Sequence, residues 1–196
     1  MFVDQKNFAK FTKSKQSTQA KCSSDSISTN SLSRLSHLAQ GKGMEHLDVI
    51  IVGAGISGIS AAVHLGKACP ERSVGILEGR ENIGGTWDLF KYPGIRSDSD
   101  MHTLGFSFKP WRAEKSIADG PAIMQYLDET VDEYRLEENI RFSHKVVAAE
   151  WCSADARWVL TVDQGEEQKQ MSSNFLFMCS GSVSYTHLTL PTKLAV

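Results

Sequence analysis

Hydrophobic and polar positions divide the middle of the chain into strand-like and helix-like stretches. Residues 47–52, Leu-Asp-Val-Ile-Ile-Val, place apolar side chains on both faces of an extended segment, the pattern of a parallel strand covered on each side. Residues 57–68 read as a helix that stops just before Pro70. Residues 73–78 form a second short strand ending in Glu78. Further on, Asp119-Gly120-Pro121 supplies an N-cap and a first-turn proline. Ile123, Met124, Leu127, Val131 and Tyr134 then recur at helical spacing, which predicts a helix to about Glu138. Three β-rich stretches follow at 140–151, 157–162 and 175–179, with Asp163-Gln164-Gly165 as a turn between them. Trp158, Leu160 and Val162 alternate with Val159 and Thr161, as in a half-exposed antiparallel sheet.

Between these elements, residues 79–111 hold Gly79, Gly84, Gly85, Pro93, Gly94, Gly105 and Pro110 and show no helical period, which predicts a long structured loop. Loops of this length inside a domain usually carry function. The uncharged run from Val49 to Gly66 is eighteen residues long, near the lower limit for a membrane span. Its Gly53, Gly55, Ser57, Gly58, Ser60 and His64 mark it instead as strand, turn and helix. No membrane span is expected.

Composition narrows the class. The 196 residues are 41% hydrophobic and 22% charged, enough for one globular domain and little more. A net charge of −2 removes the basic excess that nucleic-acid binding requires. Cys22, Cys69, Cys152 and Cys179 are widely spaced with no CxxC pair, so neither a metal site nor a disulfide framework is expected, and a reducing, cytoplasmic location is. Charge is uneven: residues 1–43 carry seven basic residues against two acidic ones and are Ser-rich, with too little apolar material to fold. This segment is expected to be a disordered arm. It could be a transit-type leader, which its excess of Lys over Arg fits poorly, or an interaction tail, or a stretch upstream of a true start at Met44 just before the first strand.

The site chemistry centres on Gly53-Ala54-Gly55-Ile56-Ser57-Gly58, a G-x-G-x-x-G between a strand and a helix. Gly53 permits a tight turn, Gly55 allows a pyrophosphate close to the backbone, and Gly58 lets helix and strand pack; the helix N-terminus faces the phosphates. Glu78, twenty residues beyond Gly58, occupies the place of the ribose-binding acid and disfavours a 2′-phosphate, leaving FAD or NAD as the nucleotide. Gly84-Gly85-Thr86-Trp87 follows where a plain dehydrogenase would continue its alternation. Trp87, Tyr92, Phe106, Phe108 and Trp111 interleave with Arg96, Asp98 and Asp100, which suits a flat ring with polar edges. A loop packed by its own aromatic residues has the same composition.

These residues, and above all the run from Gly84 to Trp111 with Gly84-Gly85-Thr86-Trp87-Asp88 and Tyr92-Pro93-Gly94-Ile95-Arg96-Ser97-Asp98, resemble class B flavoprotein monooxygenases, the flavin-containing and Baeyer–Villiger enzymes. The resemblance is strongest to the ethionamide-activating and long-chain alkane monooxygenase group. It implies an α/β, Rossmann-like FAD-binding domain with a parallel sheet and a small antiparallel β insertion, incomplete at its C-terminus. It also implies that Gly53, Gly55, Ser57 and Gly58 hold the FAD pyrophosphate and that Glu78 holds the ribose. Gly85, Thr86, Trp87 and Asp88 would line the ribityl chain and ring, Asp98 would sit beside the flavin, and the backbone at Val146 or Val147 would meet the adenine. Both read at least equally as core valines. The turn at Cys179-Ser180-Gly181 would return to the FAD, with Cys179 as a small buried residue and not a nucleophile. No catalytic residue is assigned.

In that family NADPH reduces FAD, O2 adds at flavin C4a, and the resulting peroxide oxygenates a ketone, thioether, amine or long-chain apolar compound. The family's second glycine fingerprint, for NADPH, is not in the sequence, so residues 44–182 are expected to be an inactive part of such an enzyme. Residues 183–192 resemble one translated frame of a sequencing adapter; 183–196 is expected to be an artefactual tail, and His187 no ligand. An FAD-dependent reductase or oxidase, or a non-catalytic flavin-binding remnant, fits the same residues.

Overall fold

The computed structural model describes residues 44–181, so the expectations for 1–43 and 183–196 lie outside the described residues. The elements in order are β1 (Glu45–Val52), α1 (Ile56–Ala68), β2 (Val74–Leu77), α2 (Thr86–Leu89), α3 (Met101–Leu104), α4 (Gly120–Tyr134), a 3-10 turn (Glu137–Asn139), β3 (Ile140–Arg141), β4 (Lys145–Cys152), β5 (Arg157–Gln164) and β6 (Glu167–Met178). They build one six-stranded sheet of order β3-β2-β1-β6-β5-β4. β1 pairs parallel with both β2 and β6, whereas β4, β5 and β6 form an antiparallel meander.

Val49, Ile50, Ile51 and Val52 are all buried because both faces of β1 are covered. On one face, Ile50, Val52 and Leu77 pack with Leu160, Val162 and Met171. Leu160 and Val162 belong to β5, two strands away from β1 in the sheet, so the meander curls back over the parallel strands. The other face takes α1, through Ile59, Ala62, Val63 and Leu65, and α4 packs against α1 and α2, burying Ile123, Leu127 and Val131. Three layers result: helices, parallel sheet, meander.

Asp119 caps α4 by accepting the Ala122 N–H at 3.0 Å, with proline in the first turn. The helix stops at Tyr134, earlier than its periodicity suggests. Arg135 turns left-handed at φ 53°, and the Leu136 N–H bonds back to the Val131 carbonyl, which tucks Leu136 into the core.

Two other expectations need correction. Residues 79–111 contain the four-residue helices α2 and α3, too short to leave a period; α3 is held by its Asp100 cap. The last strand begins at Glu167, eight residues before the apolar run at 175. Its exposed first four residues, 167–170, are held by pairing with β5 and not by burial, which hydropathy cannot show.

Candidate functional site

The candidate site lies where the parallel strands β1 and β2 end. Gly53 leaves β1 at φ 105°; its N–H donates to the Leu77 carbonyl at 2.8 Å, and the Cys179 N–H donates to Val52 O at 2.8 Å. The glycine loop therefore sits over the ends of β2, β1 and β6. The carboxyl ends of parallel strands are where open α/β sheets bind ligands.

The three glycines differ in what requires them. A Cβ on Gly53 would lie 2.6 Å from the Cys179 carbonyl oxygen, and one on Gly58 would run into the Gly53 carbonyl oxygen. Both are demanded by the chain's own packing. Gly55 is not: its φ is −82°, and a Cβ there would meet only the Gly85 backbone, at 3.6 Å, an ordinary contact. Gly55 also precedes α1 without offering a side-chain cap, and Ser57 is exposed in the first turn, so the positive helix end faces outward without a side-chain cap.

Glu78 follows directly after β2 and is 7% exposed. Its Oε2 accepts the Ala54 N–H at 2.8 Å and its Oε1 the Arg80 N–H at 3.1 Å, so the carboxylate points back at the glycine loop. Each oxygen keeps acceptor capacity beyond these bonds. The peptide itself is fixed by Glu78 N–H to Arg141 O at 2.9 Å and His144 N–H to Glu78 O at 2.8 Å.

The second glycine pair closes on the first. Gly84, at φ 105°, donates its N–H to the Ala54 carbonyl at 2.9 Å, and a Cβ on Gly85 would be 3.2 Å from the Gly55 Cα. The two loops thus meet backbone to backbone. Thr86, Trp87 and Asp88 begin α2 just beyond, Thr86 exposed, the other two half-buried. Arg80 lies among these groups and was not singled out by its sequence position. Its Nη2 donates to Gly85 O at 2.9 Å, its Nη1 lies 3.4 Å from Asp88 Oδ2 and its Nε 3.6 Å from Glu78 Oε1. A lone cation between Glu78, Glu81 and Asp88 was the available signal.

Gly53, Gly55, Ser57, Gly58, Glu78, Gly85 and the start of α2 are therefore assembled at the carboxyl ends of β1 and β2. Asp98 is not tied to them: it is exposed next to the buried Ser97 and makes no hydrogen bond or ion pair among the described residues. Val146 pairs with Val162 in β4 and packs half-buried against the core. Its neighbour Lys145 lies beside Gly79, whose Cβ would be 3.4 Å from that of Lys145, so β4 starts next to the end of β2. Burial pushes the Cys179 thiol up from its ordinary value, against a role as nucleophile. Among the described residues no three His, Cys, Asp or Glu are grouped to hold a metal. A separate cleft of about 450 Å³, lined by Phe108, Trp111, Tyr126 and Glu133 among others, shares no residue with the glycine loops.

Residues 51–130 match the NAD(P)-binding Rossmann-like domain family. The chain is 60% identical over 141 residues to the FAD-containing monooxygenase EthA of Mycolicibacterium smegmatis, covering 72% of this chain and 29% of that protein. It is 51% identical over 142 residues to the probable FAD-binding monooxygenase AlmA of Acinetobacter baylyi, covering 72% and 28%. Among solved structures it is similar to OTEMO in complex with FAD and NADP, with 29% identity, a TM-score of 0.61, and coverage of 69% of this chain and 26% of that one. The chain spans less than a third of the length of these relatives.

Proposed function

Since the α/β domain of this chain is homologous to FAD-containing monooxygenases, we propose that it is the FAD-binding part of an NADPH- and O2-dependent flavin monooxygenase. The observation that supports this most is the pairing of the two glycine loops. Gly55 and Gly85 leave bare backbone beside Glu78, and no contact among the described residues explains the missing side chain at Gly55. A dinucleotide fits that arrangement. The backbone of residues 53–58 and the positive end of α1 would hold its diphosphate, and the free acceptor sites of Glu78 would take ribose hydroxyls. Thr86, Trp87 and Asp88 would lie along the ribityl chain and ring, and Asp98 would stand beside the ring. Val146 would contribute only backbone near the adenine, since its side chain is committed to the core.

Bound FAD would accept hydride from NADPH and activate oxygen for transfer to a substrate, chemistry that belongs to the cofactor. The chain's own contribution is positional. The Ala54 N–H fixes the Glu78 carboxylate, and Gly84 is tied to Ala54, so the two ends of the dinucleotide are registered against one loop. The reading places the cofactor domain in residues 44–182, with 1–43 and 183–196 outside it, and gives most NADPH contacts to the part of the relatives that this chain does not span. The substrate would be a ketone, thioether, amine or long-chain apolar compound. No helix among the described residues is long and apolar enough to cross a membrane. The free thiols of Cys69, Cys152 and Cys179 support a reducing, cytoplasmic setting.

Titration of the purified chain with FAD, FMN and ADP tests the cofactor. Saturable FAD binding with ADP competing and FMN not competing is expected; equal affinity for FMN would overturn the reading. Fusing residues 44–182 to the remaining length of the Mycolicibacterium relative tests the activity. NADPH consumption coupled to an oxygenated product is expected, whereas hydrogen peroxide alone would favour a reductase or oxidase.

A further inference from the structure

We infer that Arg80 is a positioning residue that sets the distance between the adenosine and flavin halves of the cofactor site. The inference rests on the FAD reading above and adds to it a residue outside the glycine fingerprint. Arg80 reaches in three directions from one guanidinium: Nε toward Glu78 at 3.6 Å, Nη1 toward Asp88 at 3.4 Å, and Nη2 to the Gly85 carbonyl at 2.9 Å. Its main chain adds a fourth tie, donating to Glu78 Oε1, and a fifth, accepting the Ser143 N–H at 3.0 Å. The side chain is about one-third exposed, while its partners Glu78 and Asp88 are 9% and 14% exposed. Two largely covered carboxylates from opposite ends of the site thus share one cation.

The bond to Gly85 matters most. Gly85 stands at φ 56° and ψ −118°, and it is the residue that touches Gly55. By holding that carbonyl, Arg80 fixes the plane of the Gly85–Thr86 peptide. The gap between the two glycine loops and the start of α2 are then set by the same group that holds the ribose-binding carboxylate. A planar fork can serve three partners at fixed angles, whereas a lysine ammonium on the same stem cannot.

The test compares the full 196-residue chain with Arg80→Met and Arg80→Lys, measuring FAD affinity, ADP affinity, the apo melting midpoint and the absorbance envelope of bound flavin. Loss of a charge-assisted bond at the flavin-side loop is expected to weaken FAD by about tenfold or more, with a clearly smaller effect on ADP. Arg80→Lys is expected to keep the melting midpoint of the wild type yet recover only part of the FAD affinity and show an altered flavin spectrum. Unchanged FAD affinity in both variants would overturn the inference. So would equal losses for FAD and ADP that track a lowered midpoint, because that is the signature of a purely structural ion pair. Failure of the wild-type chain to bind FAD would instead sink the FAD reading itself, and is seen before any variant is made.

Discussion

Replacing Gly55 and Gly58 separately with alanine distinguishes a glycine that serves a ligand from one that serves the fold. At Gly55 the backbone is accessible to alanine, and the new Cβ would make one ordinary contact, 3.6 Å from the Gly85 Cα. Restricting the unfolded chain stabilises such a variant by about 0.4–1 kcal/mol, while alanine is a poorer N-cap than glycine by up to about 1 kcal/mol. The two offset, so the apo midpoint of Gly55→Ala is expected to move by no more than roughly 4 °C. At Gly58 the Cβ would meet the Gly53 carbonyl oxygen, and α1 has to shift away from β1; overpacking of this kind costs about 1–3 kcal/mol. FAD affinity reads the other half of the comparison. A methyl group between the Gly55 backbone and a diphosphate is expected to weaken binding by roughly 10- to 100-fold, or about 1.4–2.8 kcal/mol. Differential scanning fluorimetry of the apo proteins and titration with FAD separate the two effects. Wild-type FAD affinity in Gly55→Ala would refute the reasoning, as would an apo midpoint that falls as far as that of Gly58→Ala.

Three further outcomes follow from the packing and the titrating groups. Asp48 is held at a pKa of about 2, below its usual 3.8, first by the Ser73 N–H, then by the Ser73 hydroxyl and Arg72. Its stabilisation is therefore complete above about pH 4 and lost as pH falls through about 2. After discount for solvent screening, Asp48→Asn is expected to cost about 1 kcal/mol in urea unfolding at pH 6, with the deficit vanishing near pH 2. The Tyr126 hydroxyl accepts the buried Phe106 N–H at 2.8 Å and donates to the Lys109 carbonyl, so Tyr126→Phe is expected to lose about 1–3 kcal/mol by denaturant titration. Leu160 is fully buried between meander and parallel sheet, and Leu160→Ala is expected to lose about 2–5 kcal/mol, with an unchanged midpoint arguing against a shared core.

Much of this site is legible in the sequence because its chemistry is local. Gly53, Gly58 and Glu78 follow a spacing that a strand–turn–helix enforces, and the Asp119 cap announces α4 directly. What the sequence hides depends on contacts distant along the chain. Ser172 and Ser173 are buried because β6 runs between β1 and β5, and no hydropathy scale marks two serines as core. The curl of the meander over Ile50 and Val52 comes from strand pairing, not from any one segment. Arg80 reads as an ordinary surface cation until Gly85 and Asp88 are brought to it. Asp98 shows the opposite case: its motif is specific, but among the described residues nothing fixes its side chain.

The central claim is that a dinucleotide lies across the two glycine loops, with Glu78 on its ribose. Amide chemical shifts of the isotope-labelled chain, recorded during titration with FAD, test it residue by residue. The account predicts that the largest changes fall on Gly53, Ala54, Gly55, Ser57, Glu78, Gly85 and Thr86. Changes centred on the cleft around Phe108, Trp111 and Tyr126, with the glycine loops undisturbed, would contradict it.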